Sequence, residues 1–119
     1  MARVLVVDDE ALIAMMLGDL LSEYGHETVG PAYSESQALD LLNGAQIDAA
    51  ILDVTLGDHD SFAVARALRG RGVPFAFATG HGSHAMPDDL RDCTTVSKPF
   101  DFDVVRRLVS ELLAQRNNV

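Results

Sequence analysis

A doubly wound α/β architecture, an open parallel sheet with helices on both faces, is the fold class that this 119-residue chain predicts. Three observations carry that expectation. Short β-rich runs alternate with longer segments of helical periodicity along the whole chain. Two of the runs, Val4–Val7 and Ala49–Leu52, are nearly continuously apolar, as strands covered on both faces must be. The length is also roughly half of what an eight-fold barrel needs, so the sheet is expected to stay open.

Strands are expected at Val4–Val7, Glu27–Gly30, Ala49–Leu52, Pro74–Ala78 and Thr95–Ser97. The first helix follows from Ile13, Met16, Leu17, Leu20, Leu21 and Tyr24 at i, i+3, i+4, i+7, i+8, i+11 spacing, with Gly25 as its stop. Ser34-x-x-Gln37 is a capping-box pattern opening a second helix, which carries Ala38, Leu41 and Leu42 and ends at Asn43-Gly44. Asp60 or Ser61 can cap a third, with Phe62, Ala65 and Leu68 on its apolar face and Gly70 and Gly72 beyond. A fourth, around His84–Arg91, is weakened by Pro87 and nearby glycines. The fifth presents Val105, Leu108, Val109, Leu112 and Leu113 as one stripe. Five strands alternating with five helices fit the flavodoxin-like strand order 2-1-3-4-5. No linker, repeat or low-complexity stretch interrupts residues 1–119, which read as a single domain.

Composition narrows the function classes. Eighteen Asp and Glu stand against nine Lys and Arg, a formal charge of −9, and Lys98 is the lone lysine. Such a surface repels phosphate backbones, which argues against direct nucleic-acid binding without a separate basic module. One cysteine, Cys93, permits no intrachain disulfide and no Cys-rich zinc site, as suits a reducing cytoplasm. No signal-peptide pattern and no apolar run of about 18 residues occurs, so a cytoplasmic location away from the membrane is expected. His59, His81 and His84 lack a third ligand at a reliable spacing and read as surface or partner-contact residues. Cys93 reads as a small buried residue where the fifth strand begins. Gly80-x-Gly82 is too short for a dinucleotide fingerprint.

The residues that follow the strands carry the chemistry. Strand 1 ends in Asp8-Asp9-Glu10, strand 3 in Asp53, strand 4 in Thr79-Gly80 and strand 5 in Lys98-Pro99. In the order 2-1-3-4-5 these strands are consecutive neighbours, and their carboxyl ends are where ligands sit in such sheets. Asp8, Asp9, Asp53, Thr79 and Lys98 are therefore expected in one cleft. Carboxylates packed together call for a cation, and hard oxygen ligands without a Cys/His cluster point to Mg²⁺. The metal and Lys98 would offset charge on a phosphoryl group, with the Thr79 hydroxyl donating to one of its oxygens. Asp53, central while Asp8 and Asp9 are paired for metal, is the candidate nucleophile for an aspartyl-phosphate. Taken singly, Asp8 and Asp9 are also plausible helix caps, Asp53 and Thr79 turn residues, and Lys98 a surface lysine. Their common placement at one sheet edge is what favours the site.

Val6-Val7-Asp8-Asp9-Glu10, Ile51-Leu52-Asp53, Thr79 and Lys98-Pro99-Phe100 resemble, in order and spacing, the receiver domain of two-component response regulators. The resemblance covers essentially the whole chain. It implies that Asp53 accepts a phosphoryl group from a sensor histidine kinase or a histidine phosphotransfer protein. It further implies Mg²⁺ held directly by Asp9, Asp53 and the main-chain carbonyl of Thr55, with Asp8 acting through water. Lys98 would pair with the phosphoryl group, Thr79 would be the switch hydroxyl, and a cis peptide would precede Pro99. A downstream protein would dock on the face formed by strand 4, helix 4, strand 5 and helix 5. Such a domain assists its own phosphorylation and dephosphorylation without being an enzyme in the turnover sense.

Pro74-Phe75-Ala76-Phe77-Ala78-Thr79-Gly80 is similar to the Phe-Ala-Thr-Gly variety of receiver associated with alphaproteobacterial stress signalling. His81-Gly82 then departs from the hydrophobic residue and tyrosine usual there. Thr95 also stands where ordinary members carry Tyr or Phe. Threonine–aromatic coupling in its usual form is therefore not available, and phosphorylation is expected to draw Thr79 inward and reorganise Gly80–Asp89 directly. The chain ends soon after the fifth helix, so a stand-alone regulator, relay or phosphate sink is expected. The rivals are a phosphatase-type enzyme, which generally needs a second Asp where Thr55 stands, and a pseudo-receiver that binds partners without phosphorylation.

Overall fold

The computed structural model describes residues 2–80, 86–98 and 101–117. The chain runs β1 (Arg3–Val7), α1 (Ala11–Glu23), β2 (Glu27–Ala32), α2 (Glu35–Gly44), β3 (Ala49–Asp53), β4 (Thr55–Leu56), β5 (His59–Asp60), α3 (Phe62–Gly70) and β6 (Phe75–Thr79), then a 3-10 turn at Asp88–Leu90, β7 (Thr94–Ser97) and α4 (Phe102–Asn117). Five strands form one parallel sheet in the order β2-β1-β3-β6-β7, the expected 2-1-3-4-5 arrangement.

The unbroken apolar character of β1 and β3 follows from burial on both faces. Val4, Val6 and Ile51 enter one core, while Leu5, Val7 and Leu52 enter the other. The first core is covered by α1 and α4 through Ala14, Leu17, Leu21, Val105, Val109 and Leu112. The second is covered by α2 and α3 through Ala38, Leu42, Val64, Ala65 and Leu68. Met16, expected in the buried stripe of α1, is instead 38% exposed. The helix turns its small Ala14 toward the sheet, and Leu12 and Met15 lie outside at 69% and 58%.

Local signals set the helix ends. The His26 N–H donates to Leu21 C=O and Gly25 N–H to Ser22 C=O, with Gly25 at φ +80, so α1 closes in a Schellman motif. Ser34 Oγ accepts the Gln37 N–H (3.2 Å), and Gln37 Oε1 reaches back to the Tyr33 N–H (2.8 Å). Of the two candidate caps for α3, Ser61 holds the N-cap position without a side-chain bond, and the Asp60 Oδ1 accepts the Phe62 N–H at 3.1 Å. Arg71, just past α3, donates to Leu42 C=O (2.7 Å) and Asn43 Oδ1 (2.6 Å), satisfying the carboxyl end of α2.

Two features differ from the sequence expectation. A two-residue antiparallel hairpin, β4–β5, lies between the third strand and α3. The fourth helix is not formed at residues 86–91: Pro87 is extended (φ −58, ψ 152) and one 3-10 turn follows. Residues 84 and 85 of that expected helix, and His81 before it, lie outside the described residues. Beyond the bond of that turn, from Leu90 N–H to Pro87 C=O (2.9 Å), this segment has partners on α3. Arg66 grips the Asp89 carboxylate with two bonds (2.9 and 3.2 Å). Arg69 donates to Asp89 C=O and to Cys93 Sγ (3.1 Å), and its guanidinium lies 5.9 Å from the Phe75 ring centroid. Cys93 stands just before β7 as expected, but it is half-buried at the margin of the second core rather than buried, and its partial burial pushes the thiol pKa up, away from nucleophilic use. His59 is exposed on β5.

Gly30, in β2, has φ +96, and a Cβ there would stand 2.7 Å from Ala32 N. Gly30→Ala is expected to cost at least about 1–2 kcal/mol in urea unfolding. Gly44→Ala, with open space around it, is expected to be near neutral or mildly stabilising. A second expectation concerns pH. His26 Nδ1 accepts the Ala2 N–H (3.3 Å), and burial lowers the imidazole pKa. The folded form therefore favours the neutral ring, and its contribution, full above the unfolded value of about 6.5, is lost as pH falls toward the folded value. Urea unfolding at pH 7.5 and 5 is expected to show a steeper loss for wild type than for His26→Gln, by a fraction of a kcal/mol.

Candidate functional site

Parallel register brings the strand ends together. Val7 pairs with Leu52, so the following Asp8 and Asp53 stand abreast, and Asp53 pairs with Ala78. Thr79 pairs with Ser97, and the Lys98 N–H donates to Thr79 C=O at 2.8 Å, which delivers the lysine beside the carboxylates. Lys98 Nζ lies 2.9 Å from Asp8 Oδ2, 3.1 Å from Asp53 Oδ2 and 3.3 Å from Glu10 Oε1.

Each carboxylate is held differently. Asp8 is 1% exposed, and its Oδ1 accepts the Glu10 N–H at 2.9 Å. Asp53 is 7% exposed, and its Oδ1 accepts the Thr55 N–H at 3.3 Å. Asp9 is exposed and its Oδ2 accepts the Gly57 N–H (2.8 Å) from the β4–β5 hairpin. The capping alternative for Asp8 and Asp9 is thereby set aside: Glu10 holds the N-cap position of α1, with no side-chain cap bond.

Burial pushes the Asp53 carboxyl up to about 6; the Lys98 hydrogen bond pulls it back, and the charge of Asp8 pushes it further up. Burial alone would lower the Lys98 pKa, but its bonds to Asp8 and Asp53 outweigh this and hold it above its ordinary value. Oxygens of Asp8, Asp9, Glu10 and Asp53 all lie within 4.8 Å of one another. With Lys98 bonded to three of these four carboxylates, the cluster keeps a formal charge of −3, and an all-oxygen donor set of this charge fits Mg²⁺.

The cleft thus contains Asp8, Asp9, Asp53 and Lys98, all expected there. Thr55 follows two residues after Asp53 on β4, and Thr79, partly exposed, ends β6. The peptide before Pro99 lies outside the described residues. Two contributors had no place in the cleft assigned from sequence. Glu10 was visible only as part of an acidic run. Ser61, fully buried, donates from both N–H (3.0 Å) and Oγ (3.4 Å) to Val54 C=O, closing the excursion that carries Gly57 to Asp9. Strands of two residues have no periodicity, so only the turn composition around Gly57 hints at that hairpin.

A family model described as the response regulator receiver domain matches residues 4–110. Transcriptional regulatory protein PdtaR of Mycobacterium tuberculosis is 31% identical over 102 residues, covering 82% of this chain and 50% of that protein. The chain therefore spans about half the length of this curated relative. Sporulation initiation phosphotransferase F of Bacillus subtilis is 25% identical, with 98% of this chain and 97% of that one covered. The solution structure of SdrG from Sphingomonas melonis Fr1 is 40% identical with a TM-score of 0.80, over 98% of this chain and 96% of that one. With strand order, acidic cluster and lysine in agreement, the chain belongs to the response regulator receiver domain family.

Proposed function

We propose that this chain is a phosphoacceptor receiver, taking a phosphoryl group on Asp53 from a histidine kinase or phosphotransfer protein and signalling by partner binding or relay. The observation that carries this reading is Lys98 Nζ lying 3.1 Å from the buried Asp53 Oδ2 inside a half-buried, strongly acidic cluster. Asp9, Asp53 and the Thr55 carbonyl are the candidate direct ligands of Mg²⁺, with Asp8 acting through water. When bound, the cation offsets charge on the phosphoryl oxygens and orients them. An Asp53 oxygen bonds to phosphorus as the phosphorus–nitrogen bond of the phosphohistidine breaks, and the imidazole leaves with the electron pair. Lys98 then neutralises a phosphoryl oxygen, and the Thr79 hydroxyl donates to another.

The exposed apolar residues Leu12, Met15 and Met16 lie on α1, which begins at the acidic cluster. That position supports docking of the phosphodonor there, where a partner must approach to reach Asp53. The downstream face is proposed on β6, β7 and α4, with β7 at the sheet edge. The Phe77-Ala78-Thr79-Gly80 run and the likeness to SdrG support a place near the Phe-Ala-Thr-Gly receivers. Among the described residues, no helix is long and apolar enough to cross a membrane. This is consistent with a signalling role in the cytoplasm.

Incubation with acetyl phosphate and Mg²⁺ is expected to give a phosphoryl adduct by intact mass on wild type, and none on Asp53→Asn or with chelator present. Failure with both acetyl phosphate and a cognate kinase would favour a partner-binding module without phosphorylation. Steady turnover of external phosphoesters would favour a phosphatase. Switching is tested separately. Thr95 is exposed and leaves no aromatic to turn inward, so beryllofluoride with Mg²⁺ is expected to move amide resonances across Gly80–Asp89. Unchanged shifts there would rule out direct reorganisation of this segment.

A further inference from the structure

One carboxylate beside Lys98 has no part in the phosphoryl chemistry described above. Glu10 Oε1 reaches Lys98 Nζ at 3.3 Å across 88 positions of sequence. An ammonium has three donors, and the three oxygens facing this one belong to Asp8 (2.9 Å), Asp53 (3.1 Å) and Glu10. The partners are unequal. The side chains of Asp8 and Asp53 are 2% and 9% exposed, whereas that of Glu10 is 61% exposed. Water can solvate the Glu10 carboxylate as soon as it lets go, so this arm is the cheapest of the three to exchange.

We propose that Glu10 is the exchangeable third partner of Lys98, a positioning residue that an incoming phosphoryl oxygen must displace; the inference rests on the phosphoacceptor reading of Asp53. With acetyl phosphate as donor, an Asp53 oxygen forms the new bond to phosphorus while the phosphorus–oxygen bond to acetate breaks. Acetate leaves with the electron pair, and no proton needs to move. During that exchange Lys98 keeps Asp8 and gives its outer donor to a phosphoryl oxygen in place of Glu10. Glu10 thus slows small anionic donors in two ways: its charge repels them, and it occupies the donor they need.

The test compares wild type, Glu10→Gln and Glu10→Asp in the full chain with Mg²⁺. The readouts are the rate of adduct formation with acetyl phosphate, the affinity for beryllofluoride, and the ¹⁵N resonance of the Lys98 ammonium. Glu10→Gln is expected to raise rate and affinity about two- to fivefold, the scale of an exposed ion pair. It is also expected to shift the Lys98 resonance before any donor is added. Glu10→Asp keeps the charge but is one methylene shorter, and should give a smaller gain. Rates unchanged or lower in Glu10→Gln, while wild type forms the adduct, overturn the inference and leave the acceptor reading intact. Loss of Mg²⁺ affinity in Glu10→Gln as large as in Asp9→Asn assigns Glu10 to the cation and overturns it too. No adduct and no beryllofluoride binding on wild type overturns the acceptor reading, and this inference with it.

Discussion

Asp8 and Asp53 bring two carboxylates almost completely out of water at the end of an apolar sheet, and the Lys98 ammonium between them is what makes that arrangement tolerable. A buried charge left without its partner is destabilising by several kcal/mol, so the position of Lys98 constrains much of the molecule. It depends on β7 keeping its parallel register with β6, through the bond from the Lys98 N–H to Thr79 C=O. The same contact ties the lysine to the strand that ends in the switch candidate. Charge balance and strand register are therefore one problem here.

That balance is incomplete, which gives the site its chemistry. Three carboxylates meet one ammonium and a fourth, Asp9, stands beside them, so the surplus negative charge favours a divalent cation. Burial raises the Asp53 pKa to about 6, and the charge of Asp8 adds to that reluctance to ionise. Beyond the sheet edge, the β4–β5 hairpin sets a backbone N–H on Asp9, and Ser61 closes that excursion onto Val54. On the other side, Arg66 and Arg69 hold the segment before β7 against α3. The chain leaving Asp53 and the chain leaving Thr79 thus meet on one helix.

Much of the fold was legible because it rests on short-range patterns. The continuous apolar runs of β1 and β3 follow from two-sided burial, the stripe of α4 from one-sided burial, and the end of α1 from Gly25. Pattern reading failed where packing chose between near-equal options. Met16 and Ala14 both fit helical spacing, and the fit of a small residue against the sheet placed Ala14 inside. Around Pro87, partners offered by α3 gave the backbone and side chains an alternative to a helical turn.

By itself, the sequence determined the layered architecture and which residues follow each strand; the order 2-1-3-4-5 was one common solution among doubly wound sheets, and the structure has it. The tertiary structure alone decided how those residues divide the work. Lys98 is bonded to Glu10 as well as to Asp8 and Asp53, Asp9 is turned to the hairpin, and Ser61 is buried behind it. The reason is that such roles depend on distances of about 3 Å between groups dozens of positions apart, and on how deeply each is shielded from water. Residue type and spacing encode neither.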